Sequence, residues 1–176
     1  MLCCRAMKKY LVFTLVASAL TLTGCGKKEE SSAAAPASAP AAAAAPAAPA
    51  VAVLELTAND AMKFSVTRFE VTAGQDVKLI LTNMGTMPKV AMGHNLVVLK
   101  KGADVKAFAD AAVAAAATEY IPASKADQIV AHTKLLGPKQ TDEITFKAPT
   151  EPGEYPFICS FPAHFLSGMK GVIVVK

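Results

Sequence analysis

Twenty consecutive residues, Ser31 to Ala50, consist only of Ala, Pro and Ser, and this tract decides where in the chain a fold can form. Alanine alone would favour helix. Pro36, Pro40, Pro46 and Pro49 remove backbone donors and break any helical ladder, which leaves extended, polyproline-like chain. With no large apolar side chain to bury, the tract reads as a disordered N-terminal linker. At about 3.1 Å per residue, the stretch 26–51 would reach at most roughly 80 Å. A folded domain is therefore expected over 52–176, about 125 residues, which is enough for one hydrophobic core.

The residues before the linker read as an address. Lys8-Lys9 form a charged start after Met7, and Tyr10 to Leu22 form an apolar run. That run is shorter than the roughly 20 residues needed to span a bilayer. Leu22-Thr23-Gly24-Cys25 resembles the bacterial lipoprotein cleavage box, so 1–24 are expected to be a signal peptide, begun at Met1 or Met7, and 25–51 a tether carrying lipid on Cys25. By the same resemblance, Gly26 in place of the Asp that retains lipoproteins on the inner membrane implies the outer membrane, with the domain facing the periplasm or the cell surface. Three of the 18 Lys+Arg precede Cys25, so the rest barely exceed the 14 Asp+Glu. No basic patch with interleaved aromatics remains, which argues against nucleic acid as a partner.

Beyond residue 52 the texture changes to short alternating or apolar runs. Val53 to Leu56, Phe64 to Thr67, Phe69 to Val71, Asp76 to Thr82, Asn95 to Leu99, Glu143 to Phe146, Tyr155 to Cys159 and Gly171 to Lys176 are candidate strands, punctuated by Gly, Pro, Asn and Asp. One segment differs. Asp104 to Thr118 sets Val105, Phe108, Ala109, Ala112 and Val113 at helical spacing behind a possible Asp104 N-cap. The expectation is an all-β Greek-key sandwich with one helical insertion.

Of the four cysteines, Cys3 and Cys4 precede the expected start and Cys25 is the lipidation candidate, leaving Cys159 alone in the domain. Cys159 is followed by His164 and Met169 in one loop between two strand-like runs, and a distant Gly93-His94-Asn95 adds a second imidazole. Thiolate and thioether are soft ligands suited to Cu(I), and imidazole serves both copper oxidation states. Such a set can hold one copper ion through a one-electron change. Any of these residues alone is ordinary core filling; their conjunction at the pattern C-x4-H-x4-M points to a metal.

Leu81-Thr82-Asn83, Met87-Pro88-Lys89, Met92-Gly93-His94-Asn95, Ala131-His132-Thr133-Lys134-Leu135 and Cys159 through Gly171 together resemble the azurin-type cupredoxins, from about Leu54 to Lys176. The spacing from His164 to Met169 is one residue longer than in azurin and closer to that of auracyanin. The azurin disulfide has no counterpart here. The resemblance implies a type 1 copper site with Cys159, His94 and His164 in a trigonal plane, Met169 as a weak axial ligand and the Gly93 carbonyl as a second axial contact. It also implies that backbone N–H groups of Asn95 and Phe161 approach the Cys159 sulfur. An apolar collar of Met62, Met87, Ala91, Met92, Phe161, Pro162, Phe165 and Leu166 is expected around the edge of His164, as a docking patch for redox proteins such as c-type cytochromes. His132 matches a surface histidine with no ligand role. Asn83 stands where azurins commonly carry a buried titrating histidine.

Other chemistries fit less well. A Cys159–His164 nucleophilic pair has no third orienting group. Met is a poor zinc ligand, and a copper nitrite reductase needs a second domain and more histidines than the three present. The expected function is membrane-anchored, non-enzymatic electron transfer. The alternative is a copper-holding or partner-binding surface lipoprotein without a main electron-transfer role.

Overall fold

The computed structural model describes residues 50–176; the signal segment, Cys25 and nearly all of the linker lie outside the described residues. Nine strands form two sheets: β1 (Ala52–Asn59), β2 (Lys63–Phe64), β3 (Arg68–Val71), β4 (Asp76–Asn83), β5 (Val97–Leu99), β6 (Ile129–His132), β7 (Thr141–Lys147), β8 (Gly153–Ile158) and β9 (Lys170–Val175). The first sheet has the order β2-β1-β4-β7 and the second β3-β9-β8-β5-β6. Both are mixed, because β1 runs parallel to β4 and β3 parallel to β9 while the other pairs are antiparallel.

Alternation sets the inner faces. Along β1, Leu54, Leu56 and Ala58 are buried while Val53, Glu55 and Asn59 are exposed. Val77, Leu79 and Leu81 do the same on β4, and Tyr155, Phe157, Ile173 and Val175 meet them from the second sheet to form one core. The period of two places these side chains on one face of the pleat. The outer face of the second sheet is also covered. Val97, Val98 and Leu99 are all buried, because Val98 joins the inter-sheet core while Val97 and Leu99 join Ile158 and Phe108 in a second cluster.

Phe108 belongs to helix α2 (Val105–Val113), the expected insertion. Asp104 caps it, its carboxylate accepting from the Ala107 N–H at 2.9 Å. The helix ends five residues earlier than the sequence pattern extends. Ala114, Ala116 and Ala117 are exposed, with no apolar face to bury, and the chain passes through a tight turn at Ala116–Thr118 into Glu119 and Tyr120, both left-handed. Two further helical pieces went unforeseen: α1 (Lys89–Met92), a single turn, and a tight helical segment at Ala123–Gln128. Strand β6 was also unforeseen; only four residues long and half-buried, it carries too short a pattern to read.

These elements fix an axis. The C-terminal ends of β1, β4 and β8 and the start of β9 lie at one end, where the His94 and Cys159 loops meet. Ala52, at the start of β1, lies at the other end.

Phe108 is the one large side chain that α2 sends into the second cluster. Phe108→Ala should therefore cost about 3–5 kcal/mol in chemical denaturation. A loss under 1 kcal/mol would mean that α2 rests on the sheet without supporting it.

Candidate metal centre

Two short loops bring the metal-binding candidates together. The first runs from α1 through Gly93 and His94 into β5, and His94 is pinned by a two-way backbone bridge to Leu136. His94 N–H donates to the Leu136 carbonyl at 3.1 Å, and Leu136 N–H donates back at 2.7 Å. Gly93 has an ordinary φ of −68°, so space rather than conformation requires glycine there. A Cβ would meet the Lys89 carbonyl at 2.7 Å and the Leu135 side chain at 3.0 Å.

The second loop joins β8 to β9 and closes on itself. Cys159 N–H donates to the Met169 carbonyl at 3.1 Å, Met169 N–H to the His164 carbonyl at 3.0 Å, and His164 N–H to the Phe161 carbonyl at 3.1 Å. Ala163 and Gly168 take left-handed φ values of 68° and 89° to make the reversals. The Lys63 ammonium donates to the Ser167 carbonyl at 2.8 Å, tying the loop to the start of β2.

Asn95 locks one loop to the other. Its carbonyl accepts from the Ser160 N–H at 2.9 Å, and its amide donates to the Ser160 hydroxyl at 2.8 Å and to the Glu119 carbonyl at 3.2 Å. The Glu119 carboxylate in turn accepts from the Leu135 N–H at 3.0 Å and the Lys89 ammonium at 2.6 Å. Glu119, Ser160 and Tyr120 were not foreseen. They belong to the turn after α2 and to the loop itself, and no sequence period marks them.

The donor atoms of His94, Cys159 and His164 lie within 4.8 Å of one another. Cys159 Sγ is 3.4 Å from His164 Nδ1. All three residues are buried, Cys159 and His94 fully and His164 2% exposed. Phe161 packs its ring 4.7 Å from that of His164 and 4.9 Å from that of Tyr120. Met169 is fully buried beside them, in the same core cluster as Cys159 and Phe161.

The electrostatics describe a dry site. Burial pushes the Cys159 thiol up to about 12, opposed by the backbone N–H groups of Asn95 and Phe161 that act on its sulfur. Burial, and then repulsion from His94, brings His164 down to about 4. His94 is lowered in the same way by burial, against the Asp60 carboxylate and the Asn59 carbonyl. Both imidazole nitrogens of His94 are buried without a hydrogen-bond partner. Such orphaned groups are costly unless something binds them. A cation ligated by neutral imidazole and thiolate satisfies one of these nitrogens and leaves the other to carry the ring proton, on the side where the Asn59 carbonyl acts, so the residues present fit a copper ion.

Residues 51–176 match the copper-binding plastocyanin/azurin family. The chain belongs to that family. It is 35% identical to azurin of Alcaligenes faecalis over 68% of this chain and 94% of that one. It is 39% identical to outer membrane protein H.8 of Neisseria meningitidis over 61% of this chain and 58% of that one. Among solved structures, auracyanin of Roseiflexus castenholzii superposes with a TM-score of 0.63 at 36% identity, covering 70% of this chain and 96% of that one. Auracyanin A of Chloroflexus aurantiacus, a "blue" copper protein, gives 0.64 at 32% identity, covering 72% and 99%. The His94–Cys159–His164 cluster fits a single type 1 copper site of this family.

The expected collar is distributed unevenly. Met87, Ala91 and Leu166 are exposed, Met92, Pro162 and Met62 half-buried, and Phe161 buried. Phe165 packs instead against the cluster beneath α2. Val90 and Met84, 88% and 51% exposed on the His94 side, were not foreseen. His132 is exposed and away from the cluster. Asn83 is fully buried with its amide satisfied, accepting from the Gly85 N–H at 2.8 Å and donating to the Leu136 carbonyl at 3.3 Å. It holds the end of β4 to the His94 loop and carries no titrating proton.

The lowered His164 value has a consequence for the copper-free protein. Between about pH 6.5 and about pH 4 the unfolded chain takes up a proton that the folded chain refuses, so stability is fully present above this window and falls with pH through it. For His164 alone the loss by pH 4 is on the order of 3 kcal/mol, and His94 acts in the same direction. Denaturant midpoints of the copper-free protein followed from pH 7 to pH 4 should show this decline, whereas a flat profile would mean that the imidazoles are hydrated.

Proposed function

We propose that this protein is a type 1 copper electron carrier, held at the outer membrane by lipid on Cys25 and passing single electrons between redox proteins. The observation that carries the reading is the dry, preformed donor set of His94, Cys159 and His164, with both His94 nitrogens unpartnered. Copper bound there would supply a reversible one-electron Cu(I)/Cu(II) couple. His94, Cys159 and His164 would hold it, with Met169 sulfur and the Gly93 carbonyl as weaker contacts.

The chain's part in this chemistry is to keep the donors still and dry. The Asn95 bracket, the Leu136 bridge and the closed Cys159–Met169 loop fix the ligands whichever oxidation state is present. N–H groups of Asn95 and Phe161 aimed at the Cys159 sulfur stabilise its thiolate form. His164 is the least enclosed of the three ligands, and its edge would serve as the exit for electrons.

Membrane attachment rests on the lipoprotein-like Leu22-Thr23-Gly24-Cys25 box and on the likeness to H.8, whose name places that protein in the outer membrane. Among the described residues, no helix is long and apolar enough to cross a membrane. The linker would let the domain range over roughly 80 Å at full extension while still attached.

The copper-loaded protein should show an intense visible band from Cys159-to-Cu(II) charge transfer, and Cys159→Ser should abolish it. Met169→Leu should keep the colour and raise the potential, because a leucine donates nothing to the metal. An unchanged potential would mean that Met169 does not contact the metal. Copper handed readily to an apo acceptor, without redox cycling, would favour a copper-holding role instead.

Cys25→Ala should release the protein from the membrane fraction and leave the visible band unchanged. Retention of the variant after salt washing would show that something other than lipid on Cys25 anchors the chain.

A further inference from the structure

Thirteen Lys/Arg and twelve Asp/Glu lie among the described residues, and most form ion pairs along the sides of the domain and at the end where β1 begins. Lys147 pairs with Asp76, Lys101 with Glu151, Lys176 with Glu70 and Arg68 with Glu154. At the metal end the pattern changes. Lys63 donates to the Ser167 carbonyl at 2.8 Å, Lys139 to the Met84 carbonyl at 2.7 Å, and Lys170 lies 5.2 Å from the centre of the Phe165 ring. None of the three has a carboxylate partner among the described residues.

Each lysine borders exposed apolar surface. The contacts of Lys63 and Lys170, Ser167 and Phe165, flank Leu166, which is 74% exposed. Lys139 reaches Met84, 51% exposed, in the segment that leads to Met87 and Val90. Carboxylates at this end offset little of the charge. Glu119 is paired with Lys89, and Asp60 accepts from the N–H and hydroxyl of Thr86 at 2.8 and 2.9 Å. Three lysines against one unpaired carboxylate leave the rim positive.

We propose that this end of the domain receives a redox protein whose own cofactor edge is ringed by carboxylates, with Lys63, Lys139 and Lys170 supplying the complementary charge. The proposal rests on the electron-transfer reading and adds the partner's chemistry to it. A small apolar patch gives a weak, transient contact, and the charged rim raises the rate of productive encounter rather than the strength of the complex. A second copy of this chain would bring the same three cations opposite themselves, so self-association at this face is disfavoured.

Two small oxidants of opposite charge test the rim. Ferricyanide and tris(phenanthroline)cobalt(III) each take one electron from the reduced, copper-loaded full-length chain, converting Cu(I) to Cu(II). Added salt should slow the ferricyanide reaction and speed the cobalt one. The triple variant Lys63→Gln, Lys139→Gln, Lys170→Gln should react with ferricyanide roughly fivefold to tenfold more slowly at low salt. Because Lys63 also ties the ligand loop, the double variant Lys139→Gln, Lys170→Gln should retain a clear part of this effect with band and potential unchanged. Lys100→Gln with Lys125→Gln, unpaired lysines at the opposite end, should match the wild type. An acidic c-type cytochrome should exchange faster than a basic one. Equal salt dependence for both oxidants, or wild-type rates in the triple variant, would overturn the proposal and leave the electron-transfer reading intact. Failure of a blue, copper-loaded protein to react with either oxidant at any salt would overturn both. Anionic phospholipid vesicles that retain the wild-type domain and not the triple variant would assign the lysines to a membrane surface and overturn the protein partner.

Discussion

The rest of the site depends on the bracket between Asn95 and Ser160. Asn95 follows one ligand and Ser160 follows another, and their side chains and backbone exchange three contacts between 2.8 and 3.2 Å in a fully buried position. Each such hydrogen bond adds only about 0.5–1.5 kcal/mol net, but an unmade one leaves a buried polar group at a cost of about 1–3 kcal/mol. That asymmetry holds the two loops in one register. With the loops fixed, the donor atoms of His94, Cys159 and His164 can meet at only one place.

This rigidity explains why polar groups with no partner survive in the interior. His94 buries two unsatisfied nitrogens, and Cys159 buries a thiol that would resist ionisation without a metal. Left to itself the chain would relieve both by opening the loops to water. The Leu136 bridge, the closed turn from Cys159 to Met169 and the edge-to-face contact of Phe161 with Tyr120 oppose that opening. The metal-free fold is thus held ready for a cation at some expense in stability.

Sequence patterning made the His94–Cys159–His164 cluster and most strands legible because their patterns are local. Alternation in β1 and β4, and the crowding of Cys159, His164 and Met169 into one loop, need no knowledge of tertiary structure. Contacts made across the fold were not legible. Glu119 and Tyr120 follow an alanine run that carries no period, and they matter only because α2 ends early and its exit turn falls across Asn95 and Phe161. Phe165 lies beside His164 in sequence, yet the loop turns it toward the α2 cluster. Val90 was unremarkable in sequence and becomes prominent only because α1 is a single turn with no buried face.

The central claim is that the protein, not the metal, sets the geometry of the site. Crystal structures of the copper-free, Cu(I) and Cu(II) forms of the domain test it most directly. The account predicts that His94, Cys159, His164 and the Asn95 bracket keep their positions and rotamers in all three. An imidazole turned out to solvent in the copper-free form, or a Cys159 loop that reorganises between Cu(I) and Cu(II), would contradict it.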